Sequence, residues 1–131
     1  MKSHLYAKGN PVKGNDTVED YANVLMELEN DVNVNLACSW NLQAGCEAVI
    51  EAAFYGTNGG VALRNINGSF YDFVGLRYRA TKTETLVEPP DNWGGRALVD
   101  WINKLAINPD YNSQAEEFIK SAEVIDRIYG R

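Results

Sequence analysis

The chain is poor in the residues that most metal and catalytic centres require. It has one histidine and two cysteines in 131 residues. Cys38 and Cys46 do not form a C-x-x-C pair, and His4 alone cannot complete a zinc site with them. A nucleophile–histidine–acid arrangement would have to use His4, near the terminus. Positive charge is also scarce. Lys plus Arg is 12 against 18 for Asp plus Glu, a net charge of −6. A surface with that balance repels phosphate backbones, so nucleic acid is not expected as a partner. No apolar run approaches the ~18 residues of a membrane span. Met1 to Leu5 lack the apolar centre of a secretion signal, so the expected location is cytoplasmic. The phosphate-cradling patterns G-x-G-x-x-G and G-x-x-x-x-G-K are missing, as is the nucleophile elbow G-x-S-x-G.

What is present suits one soluble domain. Apolar residues make up 45% and charged residues 23%. A nicotinamide-dependent dehydrogenase needs a dinucleotide domain and a substrate domain, and this length holds one of them. Residues 1 to 16 read as a short strand, Ser3 to Lys8, followed by a mobile loop rich in turn formers. From Val18 the pattern has period two. Ala22, Val24, Met26 and Leu28 form one face, and after a turn at Glu29-Asn30-Asp31 so do Val32, Val34, Leu36, Cys38 and Trp40. The two strands make a hairpin, with Cys38 read as a buried thiol. Cys46 to Tyr55, Val61 to Ile66, Ser69 to Arg79 and Thr81 to Glu88 read as further strands. Gly56-Thr57-Asn58-Gly59-Gly60 and Asn67-Gly68 supply hairpin turns, and the charges of the last strand mark it as a sheet edge.

Pro89-Pro90 ends the strands. Asp91 or Asn92 is expected to cap a helix whose apolar stripe is Trp93, Ala97, Leu98, Trp101, Ile102 and Leu105, with Trp101 in the core. Ser113 to Glu116 has the form of a capping box opening a second helix with the stripe Ala115, Phe118, Ile119, Ala122, Ile125 and Tyr129. Strands followed by helices give the expected class: α+β, a mainly antiparallel open β-sheet with two C-terminal helices packed on one face. The expected division is 1–16 as strand and loop and 17–131 as one domain.

Candidate chemistry is thin. Glu47 and Glu51 share a face if their segment is one strand, as an acid/base pair would require, although a solvated sheet face explains them as well. The aromatic residues Trp40, Tyr71, Phe73 and Trp93, together with Arg64, are the candidates for touching substrate or a partner. No catalytic, cofactor-binding or metal-ligating residue is singled out. The face of the middle strands away from the helices carries Tyr71, Phe73, Val49, Ala53, Tyr55 and Leu25. It is too apolar to lie in water, and pairing of two copies through the open sheet is the expected consequence.

Taken in order, Val18-Glu19-Asp20-Tyr21-Ala22, the hairpin at Asn30-Asp31, Ser39-Trp40, and Phe54-Tyr55-Gly56-Thr57-Asn58-Gly59-Gly60-Val61-Ala62-Leu63 resemble the C-terminal domain of the Gfo/Idh/MocA oxidoreductases. Trp93-Gly94-Gly95-Arg96-Ala97-Leu98 and Val124-Ile125-Asp126-Arg127-Ile128-Tyr129 continue that pattern. The resemblance implies a substrate-binding and oligomerisation domain, inactive alone, whose parent carries NAD or NADP on a separate domain and acts on a sugar, a cyclitol or a related hydroxyl compound. The family's Glu-Lys-Pro segment and its Asp-x-x-x-His segment have no counterpart here, so no catalytic residue carries over. A free-standing α+β domain that binds a small ligand and a dimeric interaction module are the other readings.

Overall fold

The computed structural model describes residues 1–12, 17–110 and 112–131. The loop expected to be mobile lies partly outside the described residues. The class is α+β with antiparallel strands throughout. The strands divide into two four-stranded sheets where the sequence led to one. The division falls after Trp40, where a long irregular segment separates the fourth strand from the fifth. Two compact units result: Met1–Leu42 with Tyr111–Arg131, and Gln43–Asp110.

In the first unit, β1 (Lys2–Ala7), β2 (Asn10–Pro11), β3 (Tyr21–Glu27) and β4 (Asn33–Ser39) pair in the order β2-β1-β3-β4. The β3–β4 register sets Ala22 opposite Cys38, Val24 opposite Leu36 and Met26 opposite Val34. The alternation therefore assigned the shared face correctly. The connection turns at Asn30 and Asp31, both left-handed with φ of 66° and 59°. Asparagine and aspartate tolerate that region better than other side-chain-bearing residues. Ser3, opposite Val24, lies on the same face and donates its hydroxyl to the Ile128 carbonyl at 2.8 Å. Helix α2 (Glu117–Tyr129) thus lies over β1 on the Val24 side, and Val24 has no accessible surface.

Two expectations fail at this helix. Asn112, not Ser113, provides the cap: its side chain accepts from the Gln114 amide at 3.0 Å and opens a 3-10 turn ahead of α2. The half-buried positions are Val124 and Ile128, while Phe118, Ile119 and Ile125 of the expected stripe are exposed. Cys38 is likewise exposed rather than buried, and Leu36 on the same face is open as well.

In the second unit, β5 (Glu51–Gly56), β6 (Gly59–Asn65), β7 (Phe73–Arg79) and β8 (Lys82–Val87) form a meander, with β8 at an edge. Thr57 and Asn58 make the two-residue turn expected of the glycine-rich run, with Gly56 opposite Gly59. Gly59 has φ +145°, and an added Cβ would sit 2.6 Å from the Tyr78 carbonyl oxygen, so this position admits glycine alone. Ala62 and Leu76 are buried opposite each other on one face. The other face shows Phe54, Val61 and Leu63 to solvent.

Helix α1 (Arg96–Ile107) belongs to this unit. It begins after Gly95 in a left-handed conformation, without a side-chain cap. Asp91 instead pairs with Arg96, so the expected Asp91 or Asn92 cap does not form. The helix keeps its apolar stripe but buries none of it. Trp101, expected in the core, is 56% exposed. Expected packing of both helices on one sheet face is therefore not seen for α1.

Candidate functional site

The five candidate residues do not converge. Three of them, Tyr71, Phe73 and Trp93, meet at one end of the second unit. Phe73 opens β7, and Trp93 lies in the approach to α1. The rings of Phe73 and Trp93 are 6.1 Å apart and nearly perpendicular, an edge-to-face pair. The Trp93 indole N–H donates to the Tyr71 carbonyl at 2.8 Å, which satisfies its one polar group and fixes the ring against the β6–β7 connection. The Tyr71 side chain remains exposed.

That connection is shaped by two polar residues that sequence reasoning passed over. The Ser69 hydroxyl donates to the Asp72 carboxylate at 2.8 Å and accepts from the amides of Tyr71 and Asp72 at 3.1 Å. Asn65, the last residue of β6, does more. Its amide group donates to the carbonyls of Ala48 and Ser69, each at 2.9 Å, and accepts from the Ile50 amide at 3.0 Å. Asn65 therefore ties the segment ahead of β5 to the loop that presents Tyr71. Only its place before Asn67-Gly68 hinted at a special role.

Arg64 lies apart from this cluster. The register pairs it with Glu51 and Val74, on the face of Ala62 and Leu76, whereas Phe73 pairs with Asn65 on the other. Trp40 belongs to the first unit. It is 76% exposed, and its indole N–H donates to the Glu19 carbonyl at 2.9 Å. Nearby, the Tyr129 hydroxyl donates to the Glu19 carboxylate. This hydrogen bond, reinforced by partial burial and the adjacent negative charge, holds the Tyr129 phenol above its ordinary pKa.

The acid/base candidates are not brought together as a strand pair. β5 begins at Glu51, so Glu47 lies in irregular chain and the expected two-residue alternation does not reach it. His4 is exposed in β1 opposite Asn23. Among the described residues, no group of three His, Cys, Asp or Glu side chains is placed to hold a metal ion. No helix among them is long and apolar enough to cross a membrane. Around Tyr71, Phe73 and Trp93 the arrangement offers aromatic contact surface. No family model, curated protein or solved structure matches the chain.

Proposed function

We propose that this chain is a binding and assembly domain, and more narrowly the substrate-shaping, oligomerising domain of an NAD(P)-dependent oxidoreductase that acts on a sugar, a cyclitol or a related hydroxyl compound. The chain is inactive alone, and the nicotinamide cofactor is held by another domain of the parent. The observation that carries the assembly reading is uncovered apolar surface. Two compact units of roughly 7 kDa, counted as separate molecules, would together expose about 8,200 Å². This chain exposes 11188 Å². The excess, about 3,000 Å² of polar and apolar surface together, is several times the ~800 Å² that each partner contributes to a standard interface. Phe54, Val61 and Leu63 concentrate part of it on one face of the second sheet. A second copy presenting the same face covers it with closed twofold symmetry. The oxidoreductase assignment is supported by the order of sequence segments set out above and by the α+β class.

Light scattering coupled to gel filtration tests the assembly reading. The expected mass is at least twice 14.6 kDa, falling to the monomer value in Phe54→Lys/Leu63→Lys. A wild-type monomer overturns it. The oxidoreductase reading is tested separately by titrating NADH and following its fluorescence. No change is expected from the domain alone, and tight binding overturns the claim that the cofactor is held elsewhere.

A further inference from the structure

We propose that two copies of this chain stack through the second sheet in one fixed orientation, strands antiparallel, with the cationic end of each copy on the aromatic end of the other. This deepens the assembly reading above and rests on it. Register determines which side chains share the exposed face. One row is Ala52, Leu63, Gly75 and Val87, and the next on that face is Phe54, Val61, Arg77 and Glu84. Beyond them lie Phe73 at one end and the Arg79–Lys82 pair at the other. An added Cβ at Gly59 would lie 3.8 Å from Arg79 Cγ, so Gly59 belongs to that last row. The opposite face does not compete. There the Tyr55 and Tyr78 rings stack across Gly60, with centroids 6.2 Å apart, and Ala62 and Leu76 are already buried.

Two packed sheets lie about 10 Å apart with their strands nearly aligned. Closed twofold symmetry then leaves two arrangements. With the axis along the strands, β5 faces β8 of the second copy. Phe54 meets Glu84, Val61 meets Arg77, and Arg79 and Lys82 of both copies crowd into one row. Each of these contacts is unfavourable, because an apolar side chain desolvates a charge or like charges approach. With the axis across the strands, at the level of Ala62 and Leu76, every strand faces its own counterpart. Val61 then meets Leu63, and large meets small where Phe54 faces Ala52 and Arg77 faces Gly75. Arg79 reaches the half-buried Phe73 ring, itself edge-on to Trp93. Among the described residues neither Arg79 nor Lys82 is held in a salt bridge, whereas Arg77 is paired with Glu84. An aromatic ring is therefore the contact this face offers its unpaired cations.

The test is cysteine cross-linking in a Cys38→Ser/Cys46→Ser background, read by mass after mild oxidation. Mixing Val61→Cys chains with Leu63→Cys chains should give a disulfide-linked pair. Mixing Val61→Cys with Arg77→Cys should not. The reverse pattern, or no cross-link in the first mixture, overturns the orientation. Arg79→Gln gives an independent sign, followed by light scattering on dilution. It should weaken the dimer by about five- to thirtyfold, since two cation–ring contacts are lost. The melting temperature of the separated chain should be unchanged or higher, which shows that the loss is not misfolding. In the arrangement with the axis along the strands, the same change relieves repulsion, so an equal or tighter dimer overturns the proposal. A wild-type monomer overturns the assembly reading and this inference together. A wild-type dimer with the wrong cross-links or the wrong sign overturns this inference alone.

Discussion

Replacing Asn65 with Ala should loosen the second unit more than any other single polar truncation described above. The side chain makes three hydrogen bonds that join two otherwise irregular segments, and the two it donates are partly buried. Net loss per hydrogen bond is about 0.5–1.5 kcal/mol, and the exposed Ile50 amide recovers part of its share from water. The expected destabilisation is therefore about 2–3 kcal/mol. For a unit of this size that corresponds to a fall in melting temperature of roughly 10–20 °C. Thermal unfolding followed by NMR at the amides of Gly60 and Leu76 reports this unit specifically. Asn65→Asp separates polarity from geometry. It keeps an acceptor for Ile50 but cannot donate to Ala48 and Ser69, and it places negative charge against two carbonyls. It should be at least as harmful as alanine. Trp93 emission should shift to the red in both variants, because the ring is anchored on the loop that Asn65 holds. A loss below about 0.5 kcal/mol for Asn65→Ala would refute the assignment of Asn65 as the tie between these segments.

Two further substitutions probe the packing. Gly60→Ala should destabilise the second sheet by about 1–3 kcal/mol, since the new methyl would meet the Phe54 carbonyl oxygen at 2.9 Å as well as both tyrosine rings. Gly94→Ala, with nothing within 4 Å of its added Cβ, is the control and should unfold with the wild type in the same denaturant series. In the first unit, the raised pKa of Tyr129 favours the protonated, hydrogen-bonded phenol in the folded state. Its contribution is fully present below the ordinary phenol value of about 10 and disappears as pH rises through the higher folded value. The melting-temperature advantage of wild type over Tyr129→Phe should therefore hold to about pH 10 and shrink above it. An advantage that stays constant into stronger alkali would contradict the Tyr129–Glu19 bond.

Strand faces were legible in the sequence wherever one period-two pattern ran uninterrupted. Ala22 to Met26 against Val34 to Cys38 is the clearest case, because side-chain alternation and a turn at Asn30-Asp31 leave a single register. The glycine-rich turn was equally plain, since its two-residue loop needs what Gly59 provides. Burial was not legible. Period and stripe say which face is apolar, but not whether the same chain supplies a cover. Trp101, Ile119 and Cys38 satisfy their patterns and still face solvent. The candidate site was half legible. Tyr71, Phe73 and Trp93 stood out as large aromatics at element ends, and they meet. Arg64 and Trp40 stood out in the same way but lie on another face and in another unit. Which of them converge is set by long-range register, and Asn65 acts through backbone groups that have no sequence signature.

The outer strands of the two sheets differ in how well they are protected against further pairing. On β8, Lys82 and Glu84 interrupt the outer edge with charge. Across β4 and β5, Glu51 is the lone ionisable carboxylate or cation, and the rest is small, aromatic or uncharged. Unpaired amides and carbonyls on such strands accept a strand from any neighbouring chain, with little to enforce one alignment. At high concentration these two margins are accordingly where sheets would join end to end into open-ended ribbons, and a single lysine at Leu36 or Ala52 is the economical way to keep the protein dispersed.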